Sequence, residues 1–148
     1  MRKAYFFTTV LLFISTIIQF YFAAMGIFGP ADHSLFVFHS INGQIVLPVL
    51  ALLAVLFGAL SKAGVRTVLL TALPILLVVV QILLFILAGA LTGTTPEAPN
   101  VAGAIILGLH AVNGLAILFV ILVVMRRARA RAYGKDVDTT GTPAAAAA

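Results

Sequence analysis

TVLLTALPILLVVVQILLFILAG, residues 67–89, holds no charged side chain in 23 positions, and Gln81 is its one strongly polar residue. A helix rises 1.5 Å per residue, so about 20 apolar residues cross the hydrocarbon of a bilayer. The stretch therefore reads as a transmembrane helix. Residues 4–24, 35–60 and 104–125 satisfy the same criterion. With 63% hydrophobic and 9% charged residues, the 148-residue chain is far from a soluble domain, in which about a quarter of residues carry charge. Its mean hydropathy is +1.22.

The fold class expected is all-α: a polytopic four-helix up-down bundle over residues 1–130, followed by a disordered tail over 131–148. The tail's Thr, Gly, Pro and Ala offer too little varied apolar surface for a core. The first run follows Arg2 and Lys3, but it exceeds the roughly 7 to 15 apolar residues of a cleaved signal and reads as a retained helix. There is no cysteine, which excludes disulfides, thiolate metal sites and thioether-attached haem.

The net charge of +5 has a one-sided distribution. Arg2 and Lys3 precede the first span, Lys62 and Arg66 join the second to the third, and Arg126, Arg127, Arg129, Arg131 and Lys135 follow the fourth. Asp32 and Glu97 occupy the other two connections. The positive-inside rule then predicts a multi-pass plasma-membrane protein with both termini cytoplasmic. The basic residues serve as an orientation signal, with attraction to anionic headgroups as a secondary role. They do not point to nucleic acid, and the expected partner is the lipid bilayer.

His-x-x-Asn-Gly occurs twice, as "HSING" at 39–43 and "HAVNG" at 110–114. Gln19 and Gln81 precede the two copies on the first and third spans. The halves thus read as a parallel two-helix repeat about an axis along the membrane normal. On a helix, i, i+3 and i+4 share a face. His39, Asn42 and Gly43 form one patch, and His110, Asn113 and Gly114 another. In an up-down bundle the second and fourth helices lie on a diagonal, so the patches face each other across the axis.

Polar side chains are costly in hydrocarbon and point by default to a site. Two imidazoles on opposed helices suit six-coordinate haem b, with His39 and His110 as metal ligands. Asn42, Asn113, Gln19 and Gln81 would orient the rings or meet the propionates, while Gly43 and Gly114 would clear space for the macrocycle. The competing reading is structural: Asn, Gln and His hydrogen-bond between helices, and glycine allows close approach. His33 reads as a solvated loop residue or, more sharply, as an entry residue at the mouth of the site. Met25 is a candidate thioether ligand or simple filler.

Depth is a difficulty for a shared ligand. Counted from the nearest basic residue, Gln19, Gln81 and His110 lie 16, 15 and 16 residues in, but His39 lies 23 in. That mismatch is on the order of 10 Å. Counted from Asp32 and Asn100 as outer caps, the histidines are 7 and 10 residues deep, a mismatch of about 4.5 Å that tilt and a bend at Pro48 would absorb.

The paired motif, with His39, Asn42, Gly43, His110, Asn113 and Gly114 in place, resembles that of a family of small four-helix actinobacterial membrane proteins of unknown activity. More loosely, the chain is similar to membrane b-type cytochromes. That similarity implies a haem between helix-borne histidines, although only one pair is available here where two-haem cytochromes use two. Three functions stay open: a haem-binding electron-transfer or haem-handling protein that needs a quinone or redox partner, an accessory or assembly subunit with a polar lock, and a quinone- or small-ligand-binding protein. Homo-oligomerisation is compatible with all three. No hydrolase, P-loop or dinucleotide signature is present, so any enzymatic role would be that of a redox component.

Overall fold

The computed structural model describes residues 1–134. They form four helices, each long and apolar enough to cross a membrane: α1 (Arg2–Phe28), α2 (Phe36–Leu60), α3 (Val65–Thr92) and α4 (Val101–Tyr133). Among the described residues there is no strand. α1 and α3 each pack against both α2 and α4, which leaves α1 opposite α3 and α2 opposite α4. The chain is a four-helix up-down bundle.

Three helices extend beyond the apolar runs, because backbone hydrogen bonding does not stop where hydropathy does. The largest extension is in α4, which continues through four arginines to Tyr133. Residues 131–133, read from sequence as tail, are therefore helical. Arginine is a good helix former, and the Arg131 guanidinium also donates to the carbonyls of Ser61 (3.2 Å) and Lys62 at the end of α2. A cation there complements the negative end of the helix. The remainder of the expected disordered tail, residues 135–148, lies outside the described residues.

The far end of α4 is equally well tied. Asn100 accepts the Gly103 N–H (2.8 Å) as N-cap and donates to the Thr92 carbonyl at the end of α3 (2.9 Å). One side chain thus joins two helix termini. At the α1–α2 connection the expected cap Asp32 is used differently: it accepts the Ser34 N–H (3.0 Å), and that bond holds its carboxyl below the usual range. Leu35 precedes α2 without a side-chain cap.

The interior is layered along the axis. Nearest the basic residues, Tyr5, Ala63, Val124 and Ala128 form one buried cluster, and the Tyr5 hydroxyl meets Thr71 Oγ1 across the bundle (2.7 Å). Next come Leu12, Leu47, Ala51, Ala54, Ile117 and Ile121. Beyond these lies a polar layer containing both copies of the motif.

The buried and motif positions of the two halves correspond at constant intervals, with one exception. Gln81 follows Gln19 by 62 positions, and the buried Thr71, Pro74 and Ala88 of α3 follow the buried Thr9, Leu12 and Gly26 of α1 by the same 62. His110, Asn113 and Gly114 follow His39, Asn42 and Gly43 by 71. Below the motif the interval changes to 70: Ile117, Ile121, Val124 and Ala128 match Leu47, Ala51, Ala54 and Gly58, and all eight are buried. The extra residue in α2 is taken up by a π-helical segment, Asn42–Val46. Pro48 gives the reason for its place, since proline has no N–H to offer the Gln44 carbonyl and would crowd it in a regular helix. A wider turn removes that conflict. The bend expected at Pro48 is thus a one-residue bulge just before it.

A deletion experiment follows from this register. Removing Gln44 together with Pro48→Leu should convert the bulge to α-helix and preserve the fold, with a thermal midpoint shifted by only a few degrees. Removing Leu115 from the regular α4 rotates everything beyond it by about 100° and should prevent folding. Size-exclusion profiles and thermal unfolding in detergent would show this, and equal damage from both deletions would contradict the assigned bulge.

Candidate functional site

The motif histidines meet. The ring centroids of His39 on α2 and His110 on α4 are 6.1 Å apart at an interplanar angle of 49°, across the diagonal. The 10 Å mismatch counted from the basic residues is absent. That count took Arg126 as the inner end of α4, whereas the helix continues to Tyr133. Leu60 lies 21 residues beyond His39 and Tyr133 lies 23 beyond His110, so the two helices extend almost equally below the pair.

Each histidine-bearing helix is held by the same two bonds. Gln19 Nε2 donates to the His39 carbonyl (3.0 Å) and Gln81 Nε2 to the His110 carbonyl (3.1 Å). Asn42 Nδ2 donates to the Ser15 carbonyl (3.0 Å) and Asn113 Nδ2 to the Leu77 carbonyl (2.8 Å). Ser15 and Leu77 each stand four residues before their glutamine. These amide bonds run to helix backbones and not to the imidazoles, so in place of the expected orientation of the rings or contact with propionates, the bonds observed orient the helices that carry the rings.

The halves differ in how complete their networks are. Asn42, only 6% exposed, also donates to Gln19 Oε1 (2.7 Å) and accepts from Ser15 Oγ (2.8 Å). Leucine at 77 removes the hydroxyl equivalent to Ser15. Gln81 Oε1 and His110 Nδ1 are buried with no hydrogen-bond partner among the described residues. His39 Nδ1, in contrast, donates to the Gln19 carbonyl (3.2 Å). A carbonyl can only accept, so this bond puts the proton on Nδ1 and leaves Nε2 as the basic nitrogen.

The glycines allow this packing. A Cβ on Gly43 would meet Gln19 Nε2 at 2.6 Å, so the space expected to admit a macrocycle holds the Gln19 amide instead. A Cβ on Gly114 would have ordinary contacts with Phe20 at 3.5 Å and Gln81 Nε2 at 3.7 Å. Aromatic rings flank the pair: Phe85 stands edge-on to His110 (5.0 Å, 81°) and Phe36 to His39 (6.2 Å, 89°).

No family model, curated protein or solved structure matches this chain. The site must therefore be read from its own geometry. Among the described residues no three His, Cys, Asp or Glu side chains cluster as a metal site would require. A metal held by the two imidazoles needs its other donors from elsewhere, as a porphyrin supplies them.

Two further candidates fall outside the pair. Met25 is six residues beyond Gln19 on α1, or about 9 Å further along the helix. His33 is exposed, with left-handed backbone (φ 54°), and its Nδ1 lies 3.3 Å from the Gly26 carbonyl near the end of α1. Its ring packs against Phe36 at 5.9 Å. It closes a helix terminus. Ser15 and the π-helical segment were not anticipated from sequence. Ser15 carried a signal, since it stands one helical turn before Gln19.

Proposed function

We propose that this chain is an integral membrane haem b protein, serving electron transfer or haem handling, with His39 and His110 as the axial ligands of a single haem. The 6.1 Å separation of the rings carries the reading. In a bis-imidazole iron centre each nitrogen lies about 2 Å from the metal and each ring centroid about 1 Å further, so the centroids stand about 6 Å apart. The bond from His39 Nδ1 to a backbone carbonyl is the usual support for a ligating imidazole. When bound, haem would supply a one-electron redox couple; the protein's part is to hold two imidazoles at fixed separation in apolar surroundings. A single haem does not span the bilayer, which calls for a quinone or membrane redox partner.

The backbone bonds of Gln19, Asn42, Gln81 and Asn113 favour a second reading, an accessory or assembly subunit whose polar layer locks the bundle. A lock should satisfy its own buried polar atoms, because each unpaired one is costly in hydrocarbon. Among the described residues, Gln81 Oε1 and His110 Nδ1 are the buried atoms of this layer left unpaired, which supports a ligand over a closed lock. A quinone carbonyl would accept from His110 Nδ1 in its protonated tautomer, and only the reduced quinol has a hydroxyl to donate to Gln81 Oε1. The absorption spectrum of the purified protein separates these readings: a low-spin haem spectrum is expected, and a colourless protein would leave the others.

We place both termini in the cytoplasm on the strength of the basic residues. Because the chain lacks cysteine, single substitutions report cleanly. An impermeant thiol reagent should label Asp32→Cys and Glu97→Cys in intact cells and spare Lys62→Cys. Labelling at 62 would reverse the topology.

A further inference from the structure

At the basic end of the bundle the surface of α4 carries a shallow concavity of about 350 Å³, lined by Arg126, Arg129, Ala130, Tyr133 and Gly134. From the concavity we infer that α4 binds the phosphate of an anionic glycerophospholipid. The inference does not depend on haem. Arg126, Arg129, Ala130 and Tyr133 follow the i, i+3, i+4, i+7 pattern of one helix face, and all four are exposed. The opposite side of the same turns is committed to the interior through Val124 and Ala128, and Arg131 is turned to the end of α2. Arg126 and Arg129 therefore point away from the bundle interior, and Tyr133 on the same face borders α1.

Its level fits a headgroup. The bonds of Arg131 to Ser61 and Lys62 align this part of α4 with the end of α2, where the chain leaves the apolar region. Tyr133 stacks edge-on against Phe6 (5.4 Å, 88°), which fixes a phenol at the wall of the concavity, a usual place for tyrosine at a membrane interface. Ala130 and Gly134 add little bulk between the cations. Two guanidiniums on one face match phosphate oxygens through paired N–H donors, which lysine lacks. The carboxylates of Asp32 and Glu97 lie in the two connections at the opposite end, so among the described residues none competes for these arginines.

The test uses the full chain, delipidated in detergent and titrated with phosphatidylglycerol or phosphatidylcholine, with bound lipid read by native mass spectrometry. Wild type should retain phosphatidylglycerol over phosphatidylcholine. Arg126→Gln with Arg129→Gln should weaken that retention about 30-fold, from two cationic contacts of ordinary strength. Lys3→Gln with Arg66→Gln removes the same charge from the same end and should weaken it less than about threefold, while Arg126→Lys with Arg129→Lys should fall between. Circular dichroism checks that each variant folds. Equal retention of the two lipids, equal losses in the two glutamine double variants, or displacement of the lipid by millimolar inorganic phosphate would overturn the inference.

Discussion

Gly43→Leu should collapse the polar layer, at a cost of about 3 kcal/mol or more, whereas Gly114→Ala should be close to neutral. The asymmetry comes from what each glycine faces. At Gly43 even a methyl would sit 2.6 Å from Gln19 Nε2, and Gln19 is bonded both to the His39 carbonyl and to Asn42 Nδ2. A larger side chain expels the amide, breaks both bonds and leaves Asn42 short of a partner in apolar surroundings. Overpacking costs about 1 to 3 kcal/mol by itself, and each lost interhelical bond adds on the order of 0.6 kcal/mol. At Gly114 the methyl finds ordinary van der Waals distance to Phe20 and Gln81. Thermal unfolding in detergent should give the order Gly43→Leu, then Gly43→Ala, then Gly114→Ala, with the last near wild type. Equal tolerance at the two positions would show that Gln19 does not occupy the place assigned to it.

Much of this architecture was legible in the residues. Four uninterrupted apolar runs fixed the helix count, and His-x-x-Asn-Gly at helical spacing placed two polar patches on facing helices. The inner face of α1 carries a further signal in its residues. Tyr5, Thr8, Thr9, Leu12, Ser15 and Thr16, all buried, follow the i, i+3, i+4, i+7 pattern of one helix face that leads to Gln19. In a lipid-embedded helix such a stripe of hydroxyls marks the interior, where hydrophobicity does not discriminate between faces. Charge alone misjudges the depth of His39, because α4 carries its arginines within a continuing helix, whereas the count from Asp32 and Asn100 keeps the two histidines within about 4.5 Å. The bulge at Asn42–Val46 was beyond reach by motif. It emerges only when the intervals of 71 and 70 between the halves are compared with known buried faces. Nor did residue type reveal that Asn42 and Asn113 would serve the backbones of α1 and α3, since an amide suits a ring nitrogen as well as a carbonyl.

Loss of either histidine should have the largest effect on ligand binding. Removal of a residue that merely supports a metal ligand costs 10- to 100-fold in affinity, so loss of an axial imidazole should cost about 100-fold or more. His39→Ala and His110→Ala should each retain the bundle. The Gln19, Asn42, Gln81 and Asn113 bonds run to carbonyls, and the carbonyls of residues 39 and 110 survive the substitution. His33→Ala removes a contact with the Gly26 carbonyl and should leave the ligand in place. The decisive measurement is the absorption spectrum of the detergent-purified wild type and these three variants, expressed with a haem precursor and compared at equal protein concentration. The account predicts a six-coordinate low-spin haem spectrum in wild type and His33→Ala, and its loss or conversion to high spin in His39→Ala and His110→Ala. A folded wild-type protein that stays colourless after haem is added would contradict it.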